Sequence, residues 1–135
     1  MNQTAFAAVG IYAALNCFVL FWLVNATGQL RRRHKILIGD GGNAHLIRVK
    51  RGHANAAENM PIMLILLLVA AAMGAPVYTI HVLGIAFTIG RVLHARHFTL
   101  ERAPQWQRSV GFMLGALSTL VAALGVLAYA LVLVF

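Results

Sequence analysis

Arg48, Arg51, Asn55 and Glu58 follow one another at spacings of three, four and three residues, which places all four on one face of a helix. Pro61 stands three residues after Glu58 and is followed by the apolar run from Ile62 to Leu68. An ionised carboxylate at the edge of such a run is costly unless it pairs or binds something. Further along stand Arg91, His94, Arg96 and His97, with Arg91 and His94 sharing a face by the three-residue rule. Two readings stay open. In one, Glu58 makes a structural ion pair with Arg51 or Arg91 that holds helices together. In the other, these residues bind an anion from outside the chain. One acid among several arginines leaves a surplus of positive charge, and Arg donates to carboxylates in a two-pronged fork. A zwitterion with two carboxylates and an amine suits both signs of charge. Neutral lipid does not.

Other chemistries lack their residues. The six histidines are scattered, no HxxxH or CxxC occurs, and no metal site is expected. No P-loop, GxGxxG or nucleophile elbow is present. The single cysteine, Cys17, sits inside an apolar run and has no intrachain partner for a disulfide.

The elements that must carry these residues follow from the charge distribution. Of 135 residues, 61% are apolar and 10% charged, against about 25% charged in a soluble domain. Residues 1–30, 59–90 and 109–135 contain no charge at all. Each of these stretches exceeds the about 20 residues needed to cross a bilayer, which excludes a soluble globule, a disordered chain and a nucleic-acid-binding module. The stretch 59–90 would be about 48 Å long as one helix, too long for the membrane core. Gly74-Ala75-Pro76 divides it by supplying a stop and a start. The reading is an all-α membrane protein, one four-helix transmembrane domain over 1–135, with helices at about 6–29, 46–73, 76–98 and 108–134. The N-terminal segment lacks the basic start of a signal peptide and reads as a retained helix. Gly39-Asp40-Gly41-Gly42-Asn43 has the composition of an ordered turn. Gly111 and Gly115 have the spacing that lets helix backbones approach closely, and helix packing is their expected role.

Sidedness follows from the cations. Seven Lys or Arg lie between residues 31 and 51, four between 91 and 108, and none at either end or in the 74–76 turn. The positive-inside rule then makes both charged connections cytoplasmic and both termini external.

The segment Arg51-Gly52-His53-Ala54-Asn55-Ala56-Ala57-Glu58-Asn59-Met60-Pro61 resembles the signature of the MAPEG family, membrane-associated proteins in eicosanoid and glutathione metabolism. Its Arg, Asn, Glu and Pro stand at the family's spacing. Gly28-Gln29-Leu30-Arg31 is similar to the exit of the family's first helix, Gly90-Arg91-Val92-Leu93-His94 to its third-helix motif, and Arg102-Ala103-Pro104 with Arg108-Ser109 to the entry of its fourth. The resemblance implies a homotrimer with glutathione held between subunits near the cytosolic face. It also implies that Arg31, Arg51, Asn55, Glu58, Arg91, His94 and His97 hold the tripeptide, while Arg108 stabilises its thiolate. Arg102 is the neighbouring candidate for that last role. Asn59 and the pair His97 and Phe98 replace tyrosines typical of members that make leukotriene or prostaglandin products.

On this reading the protein is a glutathione transferase or peroxidase that takes lipophilic small molecules from the bilayer. A non-catalytic lipid- or glutathione-binding member of the family is the alternative. A small four-helix exporter is a third class, disfavoured because Glu58 shares its stripe with Arg51 and the first helix has no acid.

Overall fold

Long uncharged runs leave the backbone no partner in lipid except itself, so helix is the only open structure available to them. The computed structural model describes residues 3–135 and contains four helices: α1 (Gln3–His34), α2 (Ala44–Ala72), α3 (Val77–Thr99) and α4 (Gln105–Val134). All four are long and apolar enough to cross a membrane.

The helix ends differ from the sequence expectation where cations and prolines act. α1 continues past Gln29 to His34 because Arg31, Arg32, Arg33 and His34 occupy its last turn. Arginine is a good helix former, and cations there complement the negative end of the helix dipole. α4 starts at Gln105, so Gln105, Trp106 and Gln107 are helical and not part of the connection. Pro104, at φ −60°, is already set for the helix that follows it. Asn43 caps α2, its side-chain oxygen accepting from the Leu46 amide at 2.9 Å. The helix then runs unbroken through Pro61. At its far end Gly74, at φ 89°, takes the left-handed conformation that reverses the chain into α3.

α2 and α3 form the centre of the bundle. α1 packs on both, α4 packs on both, and among the described residues α1 and α4 share no contact. Leu23, Leu46, Met63, Leu67, Ile80 and Phe87 are fully buried in the interior. Several polar groups inside are hydrogen-bonded, although Asn16 Oδ1 has no partner. Asn16, 1% exposed, donates to the Tyr12 carbonyl and to Thr88 Oγ1, both at 2.9 Å, and the Tyr12 hydroxyl lies 2.7 Å from His81 Nδ1. The bonds to Thr88 and His81 join α1 to α3 at a depth where unpaired polar atoms are costly.

Gly111 and Gly115 of α4 do different work. A Cβ on Gly111 would fall 2.7 Å from the Gly90 carbonyl oxygen and 2.8 Å from the His94 nitrogen, so its absence lets two backbones touch. A Cβ on Gly115 would fall 2.6 Å from Arg91 Nη2, so that glycine makes room for a guanidinium. Gly111→Ala is therefore expected to cost about 1–3 kcal/mol, because backbone atoms must separate. Gly115→Ala meets only the movable end of a side chain and should cost clearly less. Thermal unfolding in detergent reads both variants, and equal losses would contradict this division.

A cationic cavity between α2, α3 and α4

The α2 stripe does face one space. A cavity of about 690 Å³ is lined by Arg48, Arg51, Ala54, Asn55 and Glu58 from α2, His94 and Phe98 from α3, and Arg108, Ser109 and Phe112 from α4. Turns of α2 present the stripe because its members stand three or four residues apart. Pro104 starts α4 at the height that brings Arg108 and Ser109 opposite. Arg102 precedes the proline and is not in the lining.

Glu58 is exposed toward the cavity, and among the described residues no ion pair or side-chain hydrogen bond reaches it. The ion pair with Arg51 or Arg91 that the spacing left open does not form. Arg91 is instead buried, 3% exposed, behind the lining. Its Nη1 donates to Asn55 Oδ1 at 3.0 Å, and Nη2 donates to the Gly111 carbonyl at 3.4 Å. The guanidinium carbon lies 5.4 Å from the centre of the Phe87 ring, and Nε has no partner. Because Arg91 occupies Asn55 Oδ1, the Asn55 amide nitrogen is left to donate into the cavity. Arg91 is thus a positioning residue behind Asn55.

His97 is placed differently from the sequence expectation. It does not line the cavity. Its Nδ1 lies 3.1 Å from the Pro104 carbonyl and its Nε2 lies 3.0 Å from Arg48 Nη2. A carbonyl only accepts and a guanidinium only donates, so the ring is neutral with its proton on Nδ1. Arg48 also donates to the His97 carbonyl at 2.6 Å and to the Glu101 carbonyl at 3.3 Å. These bonds hold Arg48 in place and tie α2 to the end of α3 and the connection that follows it. His94 does reach the cavity, with its ring 4.8 Å from that of Phe98.

Arg31 is also displaced from this site within one chain. Its Nη1 and Nη2 donate to the Leu37 and Gly39 carbonyls, both at 2.9 Å, so it holds the α1–α2 connection in shape. Sequence reasoning put Arg48 on the α2 stripe without naming it among the residues that hold glutathione, met Ser109 and Phe98 only within family motifs, and left Phe112 unassigned. Arg48 was legible from its place three residues before Arg51 on the stripe, whereas Ser109 and Phe112 had no signal beyond their nearness to Arg108. Among the described residues, no group of three or more His, Cys, Asp or Glu is placed to hold a metal ion.

Three arginines, one carboxylate and one amide around an open cavity are suited to a small polyanionic zwitterion. The fold and site together define a multi-pass membrane protein with a polar cavity at one end of its bundle. Residues 9–128 match the model of the MAPEG family, and the chain belongs to that family. It is 33% identical over 99 residues to the inner membrane protein YecN of Escherichia coli strain K12, a match covering 73% of this chain and 75% of the relative. The YecN protein of Escherichia coli O6:H1 matches to the same extent.

Proposed function

We propose that the protein binds glutathione in the α2–α3–α4 cavity and uses its thiolate on lipophilic electrophiles. The observation that carries this reading is the convergence of Arg48, Arg51 and Arg108 on one cavity with Glu58 free among them. Arg51 matches a carboxylate of the tripeptide, Glu58 matches its ammonium, and Asn55 and His94 offer further polar contacts, while Arg48, whose Nη1 and Nη2 already donate to Glu101 and His97, adds positive charge to the cavity wall. A volume of about 690 Å³ falls within the about 300–1,000 Å³ typical of small-molecule sites.

Arg108 stands where a sulfur at the α4 side of the ligand would meet a cation, which favours the charged thiolate. The thiol proton leaves to water, and the sulfur electron pair forms the new bond to an electrophilic carbon while a leaving group departs with its own bonding pair or, on a conjugated alkene, the π pair moves to a neighbouring atom that takes a proton from water. With a hydroperoxide, the thiolate attacks the terminal peroxide oxygen, the O–O bond breaks to release the alcohol and leave a glutathione sulfenic acid, and a second glutathione displaces water from that sulfur to form the disulfide. Phe98 and Phe112 give the cavity an apolar wall through which a membrane-dissolved substrate enters. The open side suits closure by neighbouring copies in a homotrimer, and the family resemblance gives Arg31 of a neighbour a place there.

A second reading has its own observation. No tyrosine lines the cavity, and Phe98, which has no hydroxyl to assist a thiol, is among the lining residues. That favours a member that binds glutathione without turning it over. Calorimetric titration of glutathione into detergent-purified protein, followed by ultraviolet absorbance of the thiolate, separates the two. Binding with thiolate formation supports the enzyme, binding without it supports the second reading, and no binding rejects both.

Access from the cytosol requires the cavity end to be cytoplasmic. A reporter fused after Phe135 is expected to be active only outside the cytoplasm. A cytoplasmic signal would place the cavity on the wrong side for cytosolic glutathione.

A further inference from the structure

α1 and α2 end in the same hydrogen-bonded cap with different residues at its left-handed position. After α2, the Ala75 amide donates to the Ala70 carbonyl at 2.9 Å and the Gly74 amide to the Ala71 carbonyl at 3.2 Å. After α1, the Ile36 amide donates to the Arg31 carbonyl at 2.9 Å and the Lys35 amide to the Arg32 carbonyl at 3.3 Å. The left-handed residue is Gly74 in the first case and Lys35, at φ 54°, in the second. A side chain at that φ carries a steric penalty that glycine avoids, yet a lysine stands there.

Around this cap, Gly28, Arg31, Arg32, Lys35, Ile36 and Leu37 enclose a cleft of about 560 Å³. Arg31 spends both terminal nitrogens on the loop carbonyls, so it builds the cleft wall. Among the described residues, the side chains of Arg32 and Lys35 have no hydrogen bond or ion pair. Arg32 Nη1 lies 3.9 Å from the position a Cβ on Gly28 would take, so the guanidinium folds back along α1 toward the apolar span. Beside these cations, Leu37 and Ile38 are 91% and 92% exposed.

Orientation by positive charge needs only a number of cations on one side. It does not need a clamped loop, a left-handed lysine, or two adjacent apolar side chains turned outward. Water is a poor partner for Leu37 and Ile38, and at the end of a spanning helix the bilayer interface is a good one. Two unpaired cations beside them call for an anion at the same depth, and a lipid phosphate lies there. A zwitterionic lipid brings a cation of its own into a cleft already positive.

We propose that the α1–α2 connection is a binding site for an anionic phospholipid of the adjoining leaflet. Arg32 and Lys35 hold its phosphate, and Leu37 and Ile38 meet its acyl region.

Native mass spectrometry tests this on the full chain in detergent with equal amounts of phosphatidylglycerol and phosphatidylcholine. Bound phosphatidylglycerol should exceed phosphatidylcholine by about tenfold in the unmodified protein. The preference should vanish in Arg32→Ala/Lys35→Ala and persist in Arg96→Ala/Arg102→Ala, which removes the same charge elsewhere. Leu37→Ser/Ile38→Ser should weaken phosphatidylglycerol with every cation in place. Lys35→Gly should lose selectivity while unfolding at a higher temperature, since it relieves the left-handed side chain; this keeps lost binding distinct from lost folding. Glycerol 3-phosphate in excess should not displace the lipid. The proposal is overturned if the unmodified protein shows no preference, or if the preference survives Arg32→Ala/Lys35→Ala or falls equally in both charge variants. Displacement by glycerol 3-phosphate would make this a soluble-phosphate site and overturn it too. So would dissociation of an oligomer in Leu37→Ser/Ile38→Ser, which would assign the apolar pair to contacts between copies.

Discussion

Arg108→Ala is expected to leave glutathione bound while removing most of its thiolate. The affinity survives because Arg48, Arg51, Asn55 and Glu58 still line the cavity. A cation about 4–6 Å from an acid favours its charged form by one to three factors of ten, so thiolate at neutral pH should fall about tenfold or more. Conjugation of a lipophilic test electrophile should slow in proportion, because the thiolate is the nucleophile. Thiolate absorbance and rate are read on one preparation. Arg102→Ala serves as the comparison, since Arg102 stands before Pro104 and away from the cavity lining. Should Arg102→Ala abolish the signal and Arg108→Ala preserve it, the thiol lies at the other arginine. Should both variants keep signal and rate, Arg108 only anchors α4 at the membrane boundary.

Glu58→Gln separates ligand binding from scaffold. Glu58 is exposed to the cavity and unpaired among the described residues. Its replacement by an isosteric amide should change folding stability by no more than about 0.5 kcal/mol, as for other surface positions. Once a ligand ammonium covers it, the pair is desolvated. Loss of one partner then costs about 2 kcal/mol or more, roughly thirtyfold in affinity. Calorimetry and thermal unfolding of the same sample give both quantities. Wild-type affinity in a folded Glu58→Gln protein would reject an ammonium partner for Glu58, and a large fall in stability would restore a structural role.

Within the site, legibility followed periodicity. The three-four-three spacing of Arg48, Arg51, Asn55 and Glu58 depends only on helical geometry, and the structure puts all four on one cavity wall. His94 was legible for the same reason. Arg91, three residues before it, was expected beside the ligand and lies behind Asn55, because the space left by Gly115 accepts its guanidinium. His97 went astray because Arg48, distant in sequence, and Pro104, seven residues further on, claim its two nitrogens. Arg31 turned away because the loop carbonyls of Leu37 and Gly39 lie within its reach.

The sequence by itself determined the four spans, the turn at Gly74 to Pro76, the gathering of cations at one end and the family. These depend on local quantities: the length of uncharged runs, the conformational limits of glycine and proline, and the order of a few motif residues along the chain. Only the tertiary structure decided which way each helix is turned and which polar groups consume one another. α3 and α4 are apolar around most of their circumference, so no polar stripe fixes their rotation in a bilayer. Rotation is set instead by close contacts such as Gly90 against Gly111, and those contacts determine that Arg91 is buried and Arg108 faces the cavity. Packing in lipid is a matter of shape, which spacing along one helix does not record.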